Sequence, residues 1–235
     1  MILRRLASAI RKQDWFTVFV EMLIVVLGVF LGMQVSNWNE AKQERNREAV
    51  VLEQLAREFT MADEEGELTL VNAEASLAAT REVLRVIQGG EEPDDREAFL
   101  KTLGAAGSFE SGPSEPVTLV ELMSGGGGLS GLSSPDLRTA LIRYHEIALY
   151  QRRLSDITLQ RISTPHDGFH DAIHVNPDYS PELGNRLERY DWALIGGTRQ
   201  QFQVIMYAKI GIRYGIGEQV VRGRVVLDEI EKARK

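Results

Sequence analysis

Phe19 to Glu40 reads FVEMLIVVLGVFLGMQVSNWNE, and this stretch decides the fold. From Trp15 to Val35 the one formal charge is Glu21. As a helix, Phe16 to Val35 rises ~30 Å, the thickness of a bilayer's hydrocarbon core. Trp15 and Trp38 bracket the run, where amphipathic indoles favour the two membrane interfaces. A cleaved signal peptide has a shorter apolar region and a small-x-small cleavage site after it. No such site follows here, and the chain continues into helix-forming sequence. The expectation is an uncleaved transmembrane helix over residues 15–38.

Its orientation follows from the flanks. Arg4, Arg5, Arg11 and Lys12 precede the span, and Lys and Arg, rather than acids such as Asp14, set topology. Lys42, Arg45 and Arg47 on the far side are interleaved with Glu40, Glu44 and Glu48. A basic cytoplasmic leader (1–14) and an extracytoplasmic domain (39–235) are therefore expected. In a bacterium this means the inner membrane, with the C-terminal domain in the periplasm.

Glu21 is costly in such a span and needs a reason. At ~100° per residue, Glu21, Val25, Gly28 and Gly32 fall within about 60° of one another. Gly28 and Gly32 form a small-xxx-small step that lets another helix approach closely. One stripe thus joins missing bulk to an ionisable group, which in a span marks a partner or an ion path. The plainer alternative is a carboxyl ~8 Å inside the boundary that snorkels or is protonated. Glu21, Val25, Gly28, Gly32 and Trp38 are the candidate interface residues. The partners they imply are lipid, another copy of the chain or another membrane protein.

Composition narrows the function classes. The 235 residues include no cysteine, which removes disulfides, thiolate metal sites and cysteine nucleophiles together. The net charge is −7, and apart from Asp14 and Glu21 every acid lies beyond the apolar run. An acidic body argues against nucleic acid as the main ligand.

Beyond the span the pattern is helical. No Pro or Gly occurs between Met33 and Glu65, and Leu52, Leu55, Phe59 and Ala62 recur at three-four spacing. Leu70, Ala73, Leu77, Leu84 and Ile87 resume it past Gly66, until GGEEPDD (Gly89–Asp95) ends it. Short helices are expected at Arg96–Leu103 and Thr118–Met123, separated by the loop GAAGSFESGPSEP. The four glycines 125–128 lack the Gly-Lys-Ser/Thr of a phosphate loop and read as a turn. Ser134-Pro135-Asp136 is a good N-terminal cap for a long helix reaching about Ser163. Two long helices joined by a polar segment suggest an antiparallel hairpin. A C-terminal helix from Gly197 is interrupted in pattern by Gly211, Gly215, Gly217 and Gly223. No run of alternating strands stands out. The fold class is all-α: one transmembrane helix continuing into a helical-hairpin or coiled-coil-like domain.

The one chemically suggestive cluster is TPHDGFHDAIH, with His166, His170 and His174 beside Asp167 and Asp171. Histidines four apart on a helix can share a metal, but His166 and His174 would lie ~12 Å apart along its axis. Gly168 weakens that helix, and surface or capping histidines are the plainer account. No nucleophile elbow, His-Glu-x-x-His or dinucleotide fingerprint is present, so neither a cofactor nor an enzyme is expected.

The segment EMLIVVLGVFLGMQVSNWNEAKQERNREAVVLEQLAREF resembles the N-terminal signature of an uncharacterised family of bacterial single-span membrane proteins. Glu21, Gly28, Asn37, Trp38, Asn39 and Glu40 carry the resemblance. A second segment, ELMSGGGGLSGLSSPDLRTALIRYHE, is similar to that family's later Ser-Gly turn and following helix, departing from it in its four-glycine run. The resemblance implies an anchor with a helical ectodomain and brings no activity. Two functions remain open: an assembly or accessory protein acting through its span and stem, or a periplasmic ligand- or metal-binding sensory domain.

Overall fold

The computed structural model describes residues 15–125, 128–162, 169–177 and 186–235. It is all-α apart from one small ribbon. Three long helices carry the chain: α1 (Trp15–Gly89), α4 (Pro135–Ile162) and α7 (Arg199–Ala233). Between them lie α2 (Arg96–Ala106), α3 (Val117–Ser124), and the short α5 (Phe169–Ala172) and α6 (Trp192–Ile195). By its contacts the chain divides after Val50.

The first unit, described from Trp15, is the N-terminal part of α1 alone. Among the described residues this helix is long and apolar enough to cross a membrane, and none of its apolar window is covered by protein.

The second unit, Val51–Lys235, is built on the three-four spacing of its helices. Leu52, Leu55 and Phe59 of α1 share one core with Leu137, Leu141 and Tyr144 of α4 and Val226 and Ile230 of α7. Phe59 meets Tyr144 edge-on with ring centroids 4.8 Å apart, worth ~1 kcal/mol beyond the area it buries. Ala73, Ile212 and Ile216 form a middle cluster. Val83, Leu84 and Ile87 close the far end against α2 and the Phe202–Ile205 turn of α7.

The contacts fix the directions. Gly223 of α7 lies beside both Phe59 and Tyr144, whereas Gly217 is near Leu70 and Gly211 near Leu154. Residue numbers on α1 and α4 both rise as those on α7 fall. Hence α1 and α4 run parallel, each antiparallel to α7. The expected antiparallel pairing of the first helix with the Pro135 helix is not what forms. The segment between them, residues 90–134, is long enough to return the chain to the level of Leu52 and Leu55 on α1, and α7 supplies the antiparallel partner.

Local chemistry sets the ends. Gly90, at φ +76°, turns the chain out of α1. Asp95 accepts from the Ala98 N–H at 2.9 Å to start α2. Ser134 Oγ accepts from the Leu137 N–H at 3.2 Å, the expected cap of α4. Gly66 does not interrupt α1, because helices pack closely there: a Cβ on it would stand 2.5 Å from Val220 Cγ2. The glycines of α7 do not break that helix either.

The strands were not expected. Ile173–Val175 (β1) pairs antiparallel with Leu187–Tyr190 (β2), matching Ile173 with Tyr190 and His174 with Arg189. Segments of three and four residues are too short to show alternation in sequence.

Candidate functional site

Glu21, Val25, Gly28 and Gly32 are helical and exposed on the N-terminal part of α1, as is Trp38. A Cβ built on Gly28 or Gly32 would meet nothing within 4 Å. Among the described residues no packing explains those glycines. Trp38 carries Lys42 over its ring at 6.0 Å, and Ser36 donates to Glu40 at 3.4 Å. The stripe is thus a helical surface with one carboxyl and two gaps in its relief, and Trp38 lies off it, ~100° around the helix from Glu21.

The histidine cluster lies only partly within the described residues. His166 and Asp167 lie outside them. His170 falls in the four-residue α5, while His174 has left the helix for β1, opposite Arg189. Asp171 is exposed. Among the described residues no group of three metal-ligating side chains gathers.

The structure instead places buried chemistry along the segment between α2 and α3, residues 107–116. Lys209 of α7 is only 4% exposed. Its ammonium donates to the carbonyls of Ser76 (3.1 Å) and Ala106 (2.8 Å) and lies 5.1 Å from the Phe109 ring centroid. Burial pushes its pKa down to about 8, against a smaller opposing effect from Glu110. Because Ala106 ends α2, the cation also meets the negative end of that helix.

Further along, Gln219 donates to the Pro113 carbonyl at 3.1 Å and to the Tyr144 hydroxyl oxygen at 3.2 Å. Burial raises the Tyr144 pKa to about 12, partly offset by the Gln219 hydrogen bond. The Ser114 N–H donates to Glu65 at 3.1 Å. Glu115 is nearly covered and pairs with His145 and with Arg152, the latter at 3.2 Å. At the start of α3, Glu58 accepts from the Thr118 N–H (2.9 Å) and hydroxyl (2.8 Å).

Side chains of all three long helices therefore fasten one irregular segment. Gln151 completes the set: it donates to the Ile212 carbonyl at 3.2 Å, and its amide lies against Gly215, where any Cβ would overlap it. These groups are coupled to backbone and to one another. Their arrangement does structural work.

Sequence reading missed this network. Lys209 had a signal: it occupies the core phase of Phe202, Ile205, Ile212 and Ile216, where a charge requires a buried acceptor. Glu58, Glu65 and Glu115 had none, since their partners lie 30 or more residues away.

No family model, curated protein or solved structure matches the chain.

Proposed function

We propose that this chain is a single-span protein of the bacterial inner membrane that works by association rather than by catalysis. Its span and helical stem bind another copy of itself or a subunit of a larger membrane complex, making it an assembly or accessory protein. The leader lies in the cytoplasm and the body in the periplasm, as the Arg4, Arg5, Arg11 and Lys12 cluster favours. Membership of the uncharacterised family that its Asn37-Trp38-Asn39-Glu40 segment resembles belongs to the same proposal.

One observation carries it. Glu21 shares a stripe with Gly28 and Gly32, and among the described residues nothing approaches either glycine. A carboxyl in a span is stabilised by facing protein or water, and small residues at one-turn spacing let a second helix reach it. The test is Glu21→Gln combined with Gly28→Leu, followed by gentle extraction and native electrophoresis. The reading expects a smaller particle or the loss of a co-purifying subunit. An unchanged particle with unchanged companions overturns it.

A further inference from the structure

The exposed faces of α1 and α7 carry a second surface, separate from the span. On α1, Met61, Leu68 and Val71 are each more than 60% exposed, and Ala75 and Ala78 continue their line. On α7, Tyr207 is 70% and Tyr214 65% exposed, with Val204, Ile210, Val221 and Val225 also uncovered. The spacing on α7 is heptad-like: 204, 207, 214, 221 and 225 return to one side of the helix. This side points away from the core that Phe202, Ile205, Ile212, Ile216 and Val220 already fill.

The two stripes belong to one face. Between α1 and α7 runs a row of ion pairs, Arg213–Glu74 at 3.2 Å, Arg224–Asp63 at 2.8 Å and Arg224–Glu67. On each helix the apolar stripe begins just outside this row, a further ~80° from the core. The antiparallel register puts Met61 near the level of Val225, and Ala78 near that of Tyr207. Charge along the seam is already matched in pairs. Glu64 and Glu218 interrupt the stripes, and Glu218 is paired with Arg222 at 3.4 Å.

We propose that this face is where a second copy of the chain docks, α7 of each copy lying on α1 of the other. Area favours a second copy over a single docked helix. Val204 to Val225 rises ~32 Å, and two helices side by side are ~18–20 Å wide, giving a face of roughly 580–640 Å². This matches the largest patch an ordinary monomer shows. A lone peptide helix would cover about half of it. The same face on a second copy buries roughly 1,150–1,300 Å² in total, the size at which a specific interface begins. Relief agrees: the tyrosines of α7 are ridges, and Ala75 and Ala78 on α1 are the low shelf a tyrosine ring can lie on. The inference rests on the reading of the helical stem as an association surface, and its contact is distinct from the one assigned to the span.

Cross-linking in intact membranes tests it, since the native chain has no cysteine. Full-length Val71→Cys and Tyr214→Cys chains, differently tagged, are expressed together and oxidised. Tyr150→Cys, exposed on α4, is the control. The proposal expects a band carrying both tags at twice the 26.3 kDa chain mass, at least tenfold stronger than that from the control. Adding Leu68→Glu should abolish it while leaving expression and helical content unchanged. No band from the paired cysteines, an equal band from Tyr150→Cys, or a band that survives Leu68→Glu overturns the proposal. Repeating the experiment with Gly28→Leu separates the two surfaces: a band that persists leaves this one standing whatever happens at the span.

Discussion

Lys209 is the residue whose burial has the largest consequence. Its folded pKa is lowered to about 8 from the ordinary 10.5, because the ammonium is desolvated. A depressed lysine favours its neutral form in the folded state, so below pH 8 the folded protein carries a charge at a cost. Between pH 8 and 10.5 the unfolded chain binds the extra proton, and stability rises with pH across this window, by about 3 kcal/mol at most. Denaturant unfolding of the wild type at pH 7.5, 9 and 10.5 reads that slope. Lys209→Met should flatten it, and a slope that persists in the variant would assign it to other groups. Glycines give a paired prediction at the same scale. Gly66→Ala forces a Cβ against Val220 and should cost ~1–3 kcal/mol, whereas Gly211→Ala meets only Leu154 at 3.6 Å and should gain up to ~1 kcal/mol. Thermal melts of the two variants should move in opposite directions.

At the scale of elements, the helices depend on both local and distant caps. α4 starts on its own Ser134, a signal visible in Ser-Pro-Asp. α3 has no side-chain cap of its own, and Glu58 of α1 serves in its place. Glu58→Ala should therefore cost ~2 kcal/mol and raise amide exchange selectively over residues 117–120. Exchange that rises evenly along the chain would count against this local role. The contrast explains what the sequence could and could not disclose. Periodicity identified the core faces of α1, α4 and α7 because each helix buries one stripe, as Leu55, Leu141 and Ile216 do. The cap of α4 and the turn at Gly89-Gly90 were legible because their partners are neighbours in the chain. The strap at 107–116 was not, because Glu65, Gln219 and His145 reach it from three different helices. The parallel course of α1 and α4 was equally hidden: it depends on a third helix filling the antiparallel place, and stripe phase carries no direction. The β1–β2 ribbon was lost to its brevity.

For the whole molecule, two surfaces remain uncovered among the described residues, and one of them was legible in the sequence. The Glu21, Gly28 and Gly32 stripe was read directly from spacing, and the structure adds that no side chain among the described residues fills the space beside its glycines. The α1/α7 face was not read, although Tyr207, Tyr214 and Val221 stand at seven-residue intervals, because exposed and buried stripes look alike until the core is assigned. A helix bearing apolar residues on two opposite sides buries one in its own core and offers the other outward. Anchoring would raise the local concentration of copies, so that modest surfaces on span and body act together.

The most direct test of association as the chain's work is native mass spectrometry of the full-length protein, released from membranes with its own lipids. The account predicts a homogeneous multiple of 26.3 kDa, or a defined complex containing another membrane protein, and a lower mass for Glu21→Gln with Gly28→Leu. A single chain with lipid alone, unchanged by those substitutions, would contradict it.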